Sequence, residues 1–339
     1  MDIATLTSDR ELTVLADEWR ALERRALAAT PFASHQWIAL CWAMLRARGN
    51  CRLSVVTARA EGRLVFVLPL VARRDFPGWR TLGWIDSGTP CYADLVMEDS
   101  AAGRSGAEAA AAFLKRDFSI RRMRLNWVPE DAAARHFLRA SGAQQKTRFP
   151  VRRLYTGDYG DWDEFLRRMT ARSRQNFRNR LRALEKLGTL SFDKVGDPAE
   201  AVSETALLLS RKRAALASGL KRAHWLLAAD VEQLFRAAAA AGVGTVDRLA
   251  VDGKSLASTF VFRSQEGIYL SKTAFDAAFS KYAPGRVCRL LLVKYAFENG
   301  VAFIDLMTGQ FAWKVSMSSR QTSCANYRVP GRLFAFLPP

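Results

Sequence analysis

The predicted order of helices and strands occurs twice along the chain, and this duplication most limits the folds available to it. In each half, helices with apolar residues at helical spacing precede two β-rich segments joined by a short turn. The first turn occupies residues 60–62. The second contains Asp252 and Gly253, a pair typical of tight β-hairpins. A strand, a helix and a further strand follow each hairpin. The pattern predicts a mixed α+β fold built from two copies of one unit.

The two copies correspond to two predicted domains, 1–150 and 151–339. A chain of 339 residues is long enough for two domains, each with its own hydrophobic core. The boundary is predicted near residues 145–160, where a polar stretch, residues 144–148, is followed by Pro150.

Composition argues against several classes of protein. The longest apolar run, residues 64–72, is shorter than the roughly 20 residues that a membrane-spanning helix needs. Residues 1–11 carry three acidic groups and no apolar stretch, which is unlike a signal peptide, so a cytoplasmic location is expected. The five cysteines and three histidines show no metal-ligand spacing, and no metal is expected.

The chain is strongly basic, with 51 Lys and Arg against 33 Asp and Glu and a net charge of +18. The second half holds 29 basic and 17 acidic residues, a net of +12, and the first half holds 22 and 16, a net of +6. A basic surface favours anionic partners: a phosphorylated donor, an acidic carrier protein, nucleic acid or an anionic membrane. The alternative is that the excess of arginine reflects a GC-rich coding sequence and has no functional meaning.

The greatest local excess of positive charge lies in residues 165–188, which hold eight basic residues and one acidic residue. A single helix is predicted over 162–187. Arg174, Arg178 and Arg182 recur at i, i+4 and i+8 and therefore share one face of that helix. Several guanidinium groups on one face favour contact with an anionic ligand or carrier. The alternative is a solvated helix surface.

A second segment, residues 267–300, contains a helix start that could bind phosphate. A strand is followed by a loop, and Pro284 and Gly285 then open a helix. Backbone N–H groups at a helix N-terminus attract phosphate. Lys281 and Arg286 flank this position, and the alternative is an ordinary helix start.

A third segment, residues 301–316, places Asp305 within an apolar strand and Lys314 shortly after it. A carboxylate buried in an apolar strand needs a partner, because an unpaired buried charge is costly. Nearby backbone or Lys314 would supply that partner.

These segments together resemble a known family. The second half resembles the acetyltransferase-like domain of the CelD type, from cellulose biosynthesis, within the GCN5-related N-acyltransferase (GNAT) superfamily. The resemblance is carried by ARSRQNFRNRLRALEKLG (171–188), VDGKSLAS (251–258), YAPGRVCRLLL (282–292), ENGVAFIDLMTG (298–309) and WK (313–314). The first half resembles the same group at PFASHQWIALCW (31–42) and RLVFVLPLV (63–71). The chain is also similar to FemX-like transferases, which have two such domains in tandem.

The resemblance implies a GNAT-like fold in two tandem domains and the transfer of an acyl group to an amine. It implies that residues 283–286 hold the donor's pyrophosphate, although the family pattern Gln/Arg-x-x-Gly-x-Gly/Ala is reduced here to Gly285. It implies that Lys314 stabilises the oxyanion, with Asp305 helping to fix it. Tyr269 lies on the strand that would line the donor cleft and is a candidate catalytic acid, with core packing as the alternative.

Three functions fit these observations. The first is a cytoplasmic N-acyltransferase that moves an acyl group from acyl-CoA or an acyl carrier protein to an amine of a surface-polysaccharide or envelope precursor. The second is a FemX-like transferase that uses aminoacyl-tRNA. The third is a catalytically silent accessory protein of polysaccharide (cellulose) biosynthesis. The expected partners are a small-molecule or glycan-precursor acceptor, an acidic carrier protein and, peripherally, an envelope polysaccharide synthase. DNA is not expected.

Overall fold

The computed structural model describes residues 1–27, 30–76, 79–89, 91–117, 120–217 and 228–331. The strands are β1 (Asp2–Leu6), β2 (Arg52–Ala60), β3 (Arg63–Phe76), β4 (Trp79–Trp84), β5 (Val96–Met97), β6 (Ile120–Pro129), β7 (Gln144–Tyr155), β8 (Leu190–Lys194), β9 (Gly244–Val251), β10 (Lys254–Arg263), β11 (Gly267–Phe275), β12 (Phe303–Thr308) and β13 (Arg320–Pro330). The helices are α1 (Asp9–Val14), α2 (Ala16–Glu23), α3 (His35–Ala47), α4 (Ala101–Arg116), α5 (Ala134–Ser141), α6 (Trp162–Arg168), α7 (Ala171–Glu185), α8 (Pro198–Ala217), α9 (Ala229–Ala240), α10 (Pro284–Glu298) and α11 (Ala312–Met317). Short 3-10 helices cover Pro31–Ala33, Thr156–Asp158 and Ala277–Tyr282.

The chain divides into two compact units. The second unit is Pro150–Thr322, and the first is Met1–Phe149 together with the chain from Ser323 onward. The second domain expected from the sequence covers residues 151–339. The segment after Ser323 groups with the first unit because β13 pairs antiparallel with β6 over Cys324 to Pro330.

The first unit contains a sheet in the order β1-β2-β3-β4-β6-β13. Strands β4 and β6 run parallel, and the chain passes from one to the other through α4. Helix α4 approaches the sheet closely at Gly106, where an added Cβ would lie 3.0 Å from the Cβ of Phe66. The small residues of this alanine-rich helix therefore allow it to cover the strands tightly.

The second unit repeats this arrangement around its own parallel pair. Its sheet runs β7-β12-β11-β10-β9-β8, and the parallel strands β11 and β12 are connected through α10. Val261 packs in the core that α10 covers, whereas its neighbours Phe260 and Phe262 contact Phe235 of α9. Because successive strand residues point to opposite faces, helices cover the sheet on both sides.

The structure confirms both predicted hairpins. The β2–β3 turn has Glu61 at φ +50° and Gly62 at φ +78°, and the β9–β10 turn has Asp252 at φ +47° and Gly253 at φ +76°. Two central residues with positive φ match the right-handed twist of the flanking strands. The first turn is one residue shorter than expected, because Ala60 is already paired within the sheet.

The single helix predicted over 162–187 is wrong, since α6 and α7 share this segment. Met169 is extended, with φ −67° and ψ 153°, and ends α6. Thr170 then caps α7, and its hydroxyl accepts a hydrogen bond from the Ser173 amide at 3.2 Å. A threonine that satisfies an otherwise unpaired amide favours a new helix start over continuation. Residues 277–282, expected as a loop, form a 3-10 helix.

Candidate active site

The parallel strands β11 and β12 separate towards their C-terminal ends. Their pairing ends at Tyr269 and Asp305, whereas β11 continues to Phe275 and β12 to Thr308. In open sheets, ligands bind beyond the carboxyl ends of parallel strands, where neighbouring elements part. This opening is therefore the candidate active site, and two of the predicted site residues lie at its base.

Asp305 is completely buried at the base of the opening. One of its carboxylate oxygens accepts from Arg153 Nε at 2.7 Å, and the other accepts from the Met307 amide at 2.6 Å. Arg153 lies on β7, directly opposite Asp305 in the antiparallel pair with β12. The partner that burial demands is thus an arginine on a distant strand, and not Lys314 as the sequence pattern had suggested.

Strand β12 contains a bulge just beyond Asp305. Between its paired positions Asp305 and Thr308, this strand has one residue more than β7. Met307 lies in the bulge with φ +61°, a left-handed conformation that is uncommon for a residue other than glycine. The hydrogen bond from its amide to Asp305 stabilises this conformation. The bulge places two successive backbone carbonyls within reach of Lys314.

Lys314 lies on the short helix α11 and is only 6% exposed. Its Nζ donates to the carbonyl of Thr308 at 2.6 Å and to that of Met307 at 3.4 Å. The ring centroids of Phe311 and Trp313 each lie 5.6 Å from Nζ, a distance that favours a cation. An ammonium has three N–H groups, so one remains for a substrate oxygen.

The pKa of Lys314 is lowered from 10.5 to about 8. Burial is the main cause, Asp305 opposes it, and neighbouring cations lower the pKa further. Lys314 is still an ammonium at neutral pH, in surroundings where its attraction to a developing negative charge is stronger than in water. The described contacts connect it to Asp305 through the Met307 backbone, which accepts from Lys314 and donates to Asp305.

Tyr269 is buried on β11 beside Asp305. Its ring meets Phe303 edge to face, with the ring centroids 5.7 Å apart. This contact is one that core packing would produce, and a catalytic role for Tyr269 stays a prediction.

The start of α10 offers few backbone donors to a phosphate. Pro284 has no N–H group, and the amides of the third and fourth helical residues bond to the Ala283 carbonyl at 2.9 and 3.3 Å. Among the described residues, no backbone partner is found for the Gly285 amide, which is therefore available to a ligand. An added Cβ at Gly285 would lie 3.1 Å from the Phe275 ring, so packing alone accounts for a glycine here. The helix start fits one phosphate group better than a multi-amide cradle for a pyrophosphate.

Side chains supply additional positive charge at this helix start. Arg286 is half-buried, and its pKa is lowered by burial and by the neighbouring guanidinium of Arg180 on α7. Lys281 is exposed, with its Nζ 4.9 Å from the centroid of the Tyr282 ring. Arg180 lies in the basic segment but outside the i, i+4, i+8 series, so helical spacing did not predict its place beside Arg286.

The three arginines predicted on one helix face have different surroundings. The Nη1 of Arg174 donates to three backbone carbonyls at the end of α6, at 2.7 to 3.3 Å, and so satisfies groups that the helix itself leaves unpaired. Arg178 and Arg182 are exposed on α7. Anion binding by these residues stays a prediction, and Arg174 has a structural task in addition.

Two kinds of feature were not found in the part of the chain that the structure describes. No group of three or more His, Cys, Asp or Glu side chains is arranged to hold a metal ion there. No helix among these residues is long and apolar enough to cross a bilayer.

Comparison with known proteins identifies the domain that carries this site. Residues 171–315 match the family model described as an acetyltransferase (GNAT) domain, a range that contains β11, β12 and Lys314. No curated protein matches the chain in sequence.

Solved structures resemble nearly the whole chain. FemX superposes with a TM-score of 0.64 at 12% identity, covering 99% of this chain and 100% of FemX. A second similar structure is the C-terminal domain (DUF2156) of a putative lysylphosphatidylglycerol synthetase from Agrobacterium fabrum. Its TM-score is 0.57 at 13% identity, covering 94% of this chain and 92% of that domain. L-PGS from Bacillus licheniformis superposes with a TM-score of 0.53 at 10% identity, covering 96% of this chain and 92% of L-PGS. At these identities the likeness is one of fold.

The fold is a mixed α/β, GNAT-like fold, which confirms the expected fold class. The similarity to FemX is confirmed at the level of structure. The matched acetyltransferase domain makes the protein a transferase.

Proposed function

We propose that the protein is a cytoplasmic N-acyltransferase of the CelD type. It moves an acyl group from acyl-CoA or an acyl carrier protein to an amine of a surface-polysaccharide or envelope precursor. The observation that carries this proposal is the buried ammonium of Lys314, which two carbonyls hold at the opening of β11 and β12 with one N–H left for a substrate. The resemblance of both halves to the CelD-type family supports the envelope precursor as acceptor.

The chemistry needs few protein groups. The neutral acceptor nitrogen attacks the thioester carbonyl carbon, a C–N bond forms, and the carbonyl oxygen becomes negative. The C–S bond then breaks, and the leaving thiolate takes up a proton equivalent to the one the amine loses. Lys314 Nζ stabilises the negative oxygen, an effect of roughly 3–4 kcal/mol for one well-placed donor. Asp305 is already paired with Arg153 and is therefore not assigned as the base.

The donor's phosphates are proposed to lie at the start of α10. Gly285 would supply one backbone amide, and Arg286 and Arg180 would supply two guanidinium groups. Lys281 adds charge at the rim. A carrier protein or nucleic acid attached to the donor would then extend over the exposed Arg178 and Arg182.

A second candidate is a transferase that uses aminoacyl-tRNA. The single free amide at Gly285 favours it, because a coenzyme A pyrophosphate would gain more from several amides. The fold likeness to FemX supports it as well. In that reaction the bond that breaks joins the acyl carbon to a ribose oxygen rather than to sulfur.

One experiment separates these functions. The purified protein is mixed with acetyl-CoA, an acylated carrier protein or an aminoacyl-tRNA, and the melting temperature is measured, since a ligand of the native state raises it. Each donor is then incubated with amino-sugar acceptors, and amide products are sought by mass spectrometry. Acylation from acetyl-CoA or the carrier protein supports the first candidate. Acylation from aminoacyl-tRNA, and from no other donor, supports the second candidate. In that case the binding of the tRNA should weaken steeply as the salt concentration rises. If no donor raises the melting temperature and no donor gives an amide product, the result would indicate the catalytically silent accessory protein.

Activity should decline above about pH 8, because the pKa of Lys314 is about 8 and the ammonium is the form that stabilises the oxyanion. At low pH the acceptor amine is protonated, so a bell-shaped profile is expected. Lys314→Arg keeps the charge to much higher pH and should move the falling limb above about pH 10 while lowering the maximum rate. A falling limb that stays near pH 8 in this variant would assign the titration to another group. The measurement is kcat/KM against pH for both proteins.

Reversing the charge of Arg178 and Arg182 to Glu should weaken donor binding, by about tenfold or more at low ionic strength and by less at high salt, where screening removes the effect. The measurement is donor affinity at several salt concentrations. A matched control is Arg135→Glu with Arg139→Glu, two exposed arginines at the same spacing on α5. If the two double variants change donor affinity by the same factor, the exposed face of α7 is a solvated surface and not a binding site.

A further inference from the structure

A cavity of about 1100 Å³ opens in the first unit, where β2 begins, β3 ends and β4 begins. The C-terminal part of α3 and the residues just before β2 complete its wall. Pockets that bind small molecules occupy roughly 300–1,000 Å³, so this cavity has room for a ligand of nucleotide size. The residues proposed for acyl transfer all belong to the second unit and leave this cavity unused.

Five arginines line this cavity, which is here called the arginine cavity. They are Arg46 of α3, Arg52 of β2, Arg73 and Arg74 of β3, and Arg80 of β4. None of the described residues that line it is acidic. Because arginines from four elements border one space, the electrostatic potential there is positive and favours an anionic ligand.

Two of these arginines are held by carboxylates beside the cavity. Arg46 forms an ion pair with Asp9, which also accepts from the indole Nε1 of Trp42 at 2.6 Å. Arg80 forms an ion pair with Asp117, the residue that follows α4. These contacts fix parts of the wall before a ligand enters, which lowers the entropic cost of binding.

The other three arginines of the cavity have no such partner. Among the described residues, no side chain forms an ion pair or a hydrogen bond with the side chain of Arg52, Arg73 or Arg74. Burial raises the pKa of the Asp86 carboxyl, and the charge of Arg73 opposes this rise, yet these two described side chains form no ion pair. Three guanidinium groups are therefore available to an anion from outside the chain.

The pairing of β3 with β4 adds a further reason for an anion to bind here. Arg74 lies directly opposite Arg80 in this antiparallel pair. Like charges directly opposite each other destabilise a sheet. Asp117 offsets the charge of Arg80, whereas no described carboxylate pairs with Arg74. An anion bound beside the two arginines would remove the repulsion and so stabilise the folded state.

We propose that the arginine cavity binds a small organic ligand that carries two or more phosphate groups. Guanidinium groups bind phosphate oxygens through paired N–H donors, and three arginines without carboxylate partners can engage more than one phosphate. Trp42 and Trp79 line the same space, so an aromatic part of the ligand can pack against an indole ring. Binding at this cavity is expected whether or not the second unit transfers acyl groups.

A compact ligand fits these observations better than a nucleic acid or an acidic protein does. A nucleic acid duplex is bound by positive charge spread along a surface, because its phosphates are spaced along the helix. Here the arginines instead surround a recess at the ends of three strands. The recess therefore favours phosphates that are close together on one small molecule.

Cys51 provides a reporter for this site, because it lines the cavity. It is half-buried, whereas the other four cysteines are buried. Burial raises the pKa of the Cys51 thiol, and the charges of Arg73 and Arg48 oppose this rise. A phosphate that neutralises Arg73 would raise the pKa of the thiol further, and the ligand would also cover it. Both effects slow the reaction of Cys51 with a thiol reagent.

The test measures how fast iodoacetamide modifies Cys51 in the full chain, by peptide mass spectrometry, with ATP, tripolyphosphate or adenosine present. We expect saturating ATP or tripolyphosphate to slow the modification at least tenfold. Adenosine has no phosphate and should leave the rate unchanged. Calorimetry measures the affinity of each ligand without relying on the thiol, in the wild-type protein and in Cys51→Ser.

Arg73→Gln together with Arg74→Gln should weaken ATP binding at least tenfold in the calorimetric measurement. A matched control is Arg10→Gln together with Arg24→Gln, which removes the same charge from exposed positions of the first unit outside the cavity. The control should change the affinity for ATP less than twofold. The melting temperature of each double variant without ligand shows whether it remains folded.

Three results would overturn the proposal. The first is that neither ATP nor tripolyphosphate protects Cys51 or binds in calorimetry. The second is that adenosine protects Cys51 as well as ATP does, or that both double variants weaken ATP binding equally. The third concerns tetraglutamate, a peptide with several carboxylates. If it protects Cys51 as well as ATP does, the cavity recognises an acidic peptide, and the assignment to phosphate is wrong.

Discussion

Replacing Lys314 with methionine is expected to lower turnover by about 100- to 1000-fold while the protein remains folded. The buried ammonium is the group that we propose stabilises the negative oxygen, and losing one such donor costs roughly 3–4 kcal/mol in the transition state. Methionine has a similar length and no charge, so it can occupy the space between Phe311 and Trp313. The measurement is kcat under saturating donor and acceptor, with donor affinity determined separately.

Stability distinguishes this catalytic role from a purely structural one. The pKa of Lys314 is lowered to about 8 in the folded protein from 10.5, so folding disfavours the charged form. Below pH 8 the lysine is charged in both states and this cost is fully present, whereas between about pH 8 and 10.5 the unfolded state binds more protons and the folded state gains stability. At pH 7, Lys314→Met removes this cost together with the two hydrogen bonds to the Met307 and Thr308 carbonyls. Because the two effects oppose each other, the melting temperature should change little. Wild-type turnover, or an unfolded variant, would identify Lys314 as a structural residue.

Replacing Arg153 with methionine is expected to destabilise the protein by about 3–5 kcal/mol, because it leaves the fully buried carboxylate of Asp305 without its ionic partner. The measurement is the free energy of unfolding by chemical denaturation.

Adding Asp305→Asn to the same protein should recover much of the loss. Asparagine has no charge, yet its carbonyl oxygen can still accept from the Met307 amide. A matched control is Lys294→Met, which breaks an exposed ion pair with Glu298 and should cost about 1 kcal/mol or less. If Arg153→Met costs no more than this control, the Asp305–Arg153 pair does not stabilise the fold.

Much of the fold could be predicted from local patterns. Apolar spacing and the Asp252-Gly253 turn indicated the hairpins, and the same local patterns indicated the strand–helix–strand order that follows each of them. The break between α6 and α7 was missed although Thr170 is a favourable helix cap, because the residues on either side of it are good helix formers. The membership of the segment after Ser323 was missed because strand pairing over long sequence distances leaves no periodicity in the chain.

The candidate site was predicted only in part. Asp305, Lys314 and the start of α10 were selected because each departs from its surroundings: a carboxylate in an apolar strand, a lysine after an aromatic residue, and Pro-Gly before a helix. Arg174 looked equivalent to Arg178 and Arg182 by spacing, yet its guanidinium is occupied by the end of α6. Spacing along a helix specifies a face but not what that face contacts.

By itself, the sequence determined the order of the elements, the two hairpin turns and the residue types available for acyl transfer, because each follows from local backbone preferences and side-chain chemistry. Only the tertiary structure decided which of these residues meet. The partner of Asp305 is Arg153, 152 positions away, and Lys314 depends on a bulge at Met307. Both result from β12 pairing with β7 on one side while it parts from β11 on the other, and pairing between distant strands is set by packing of the whole core.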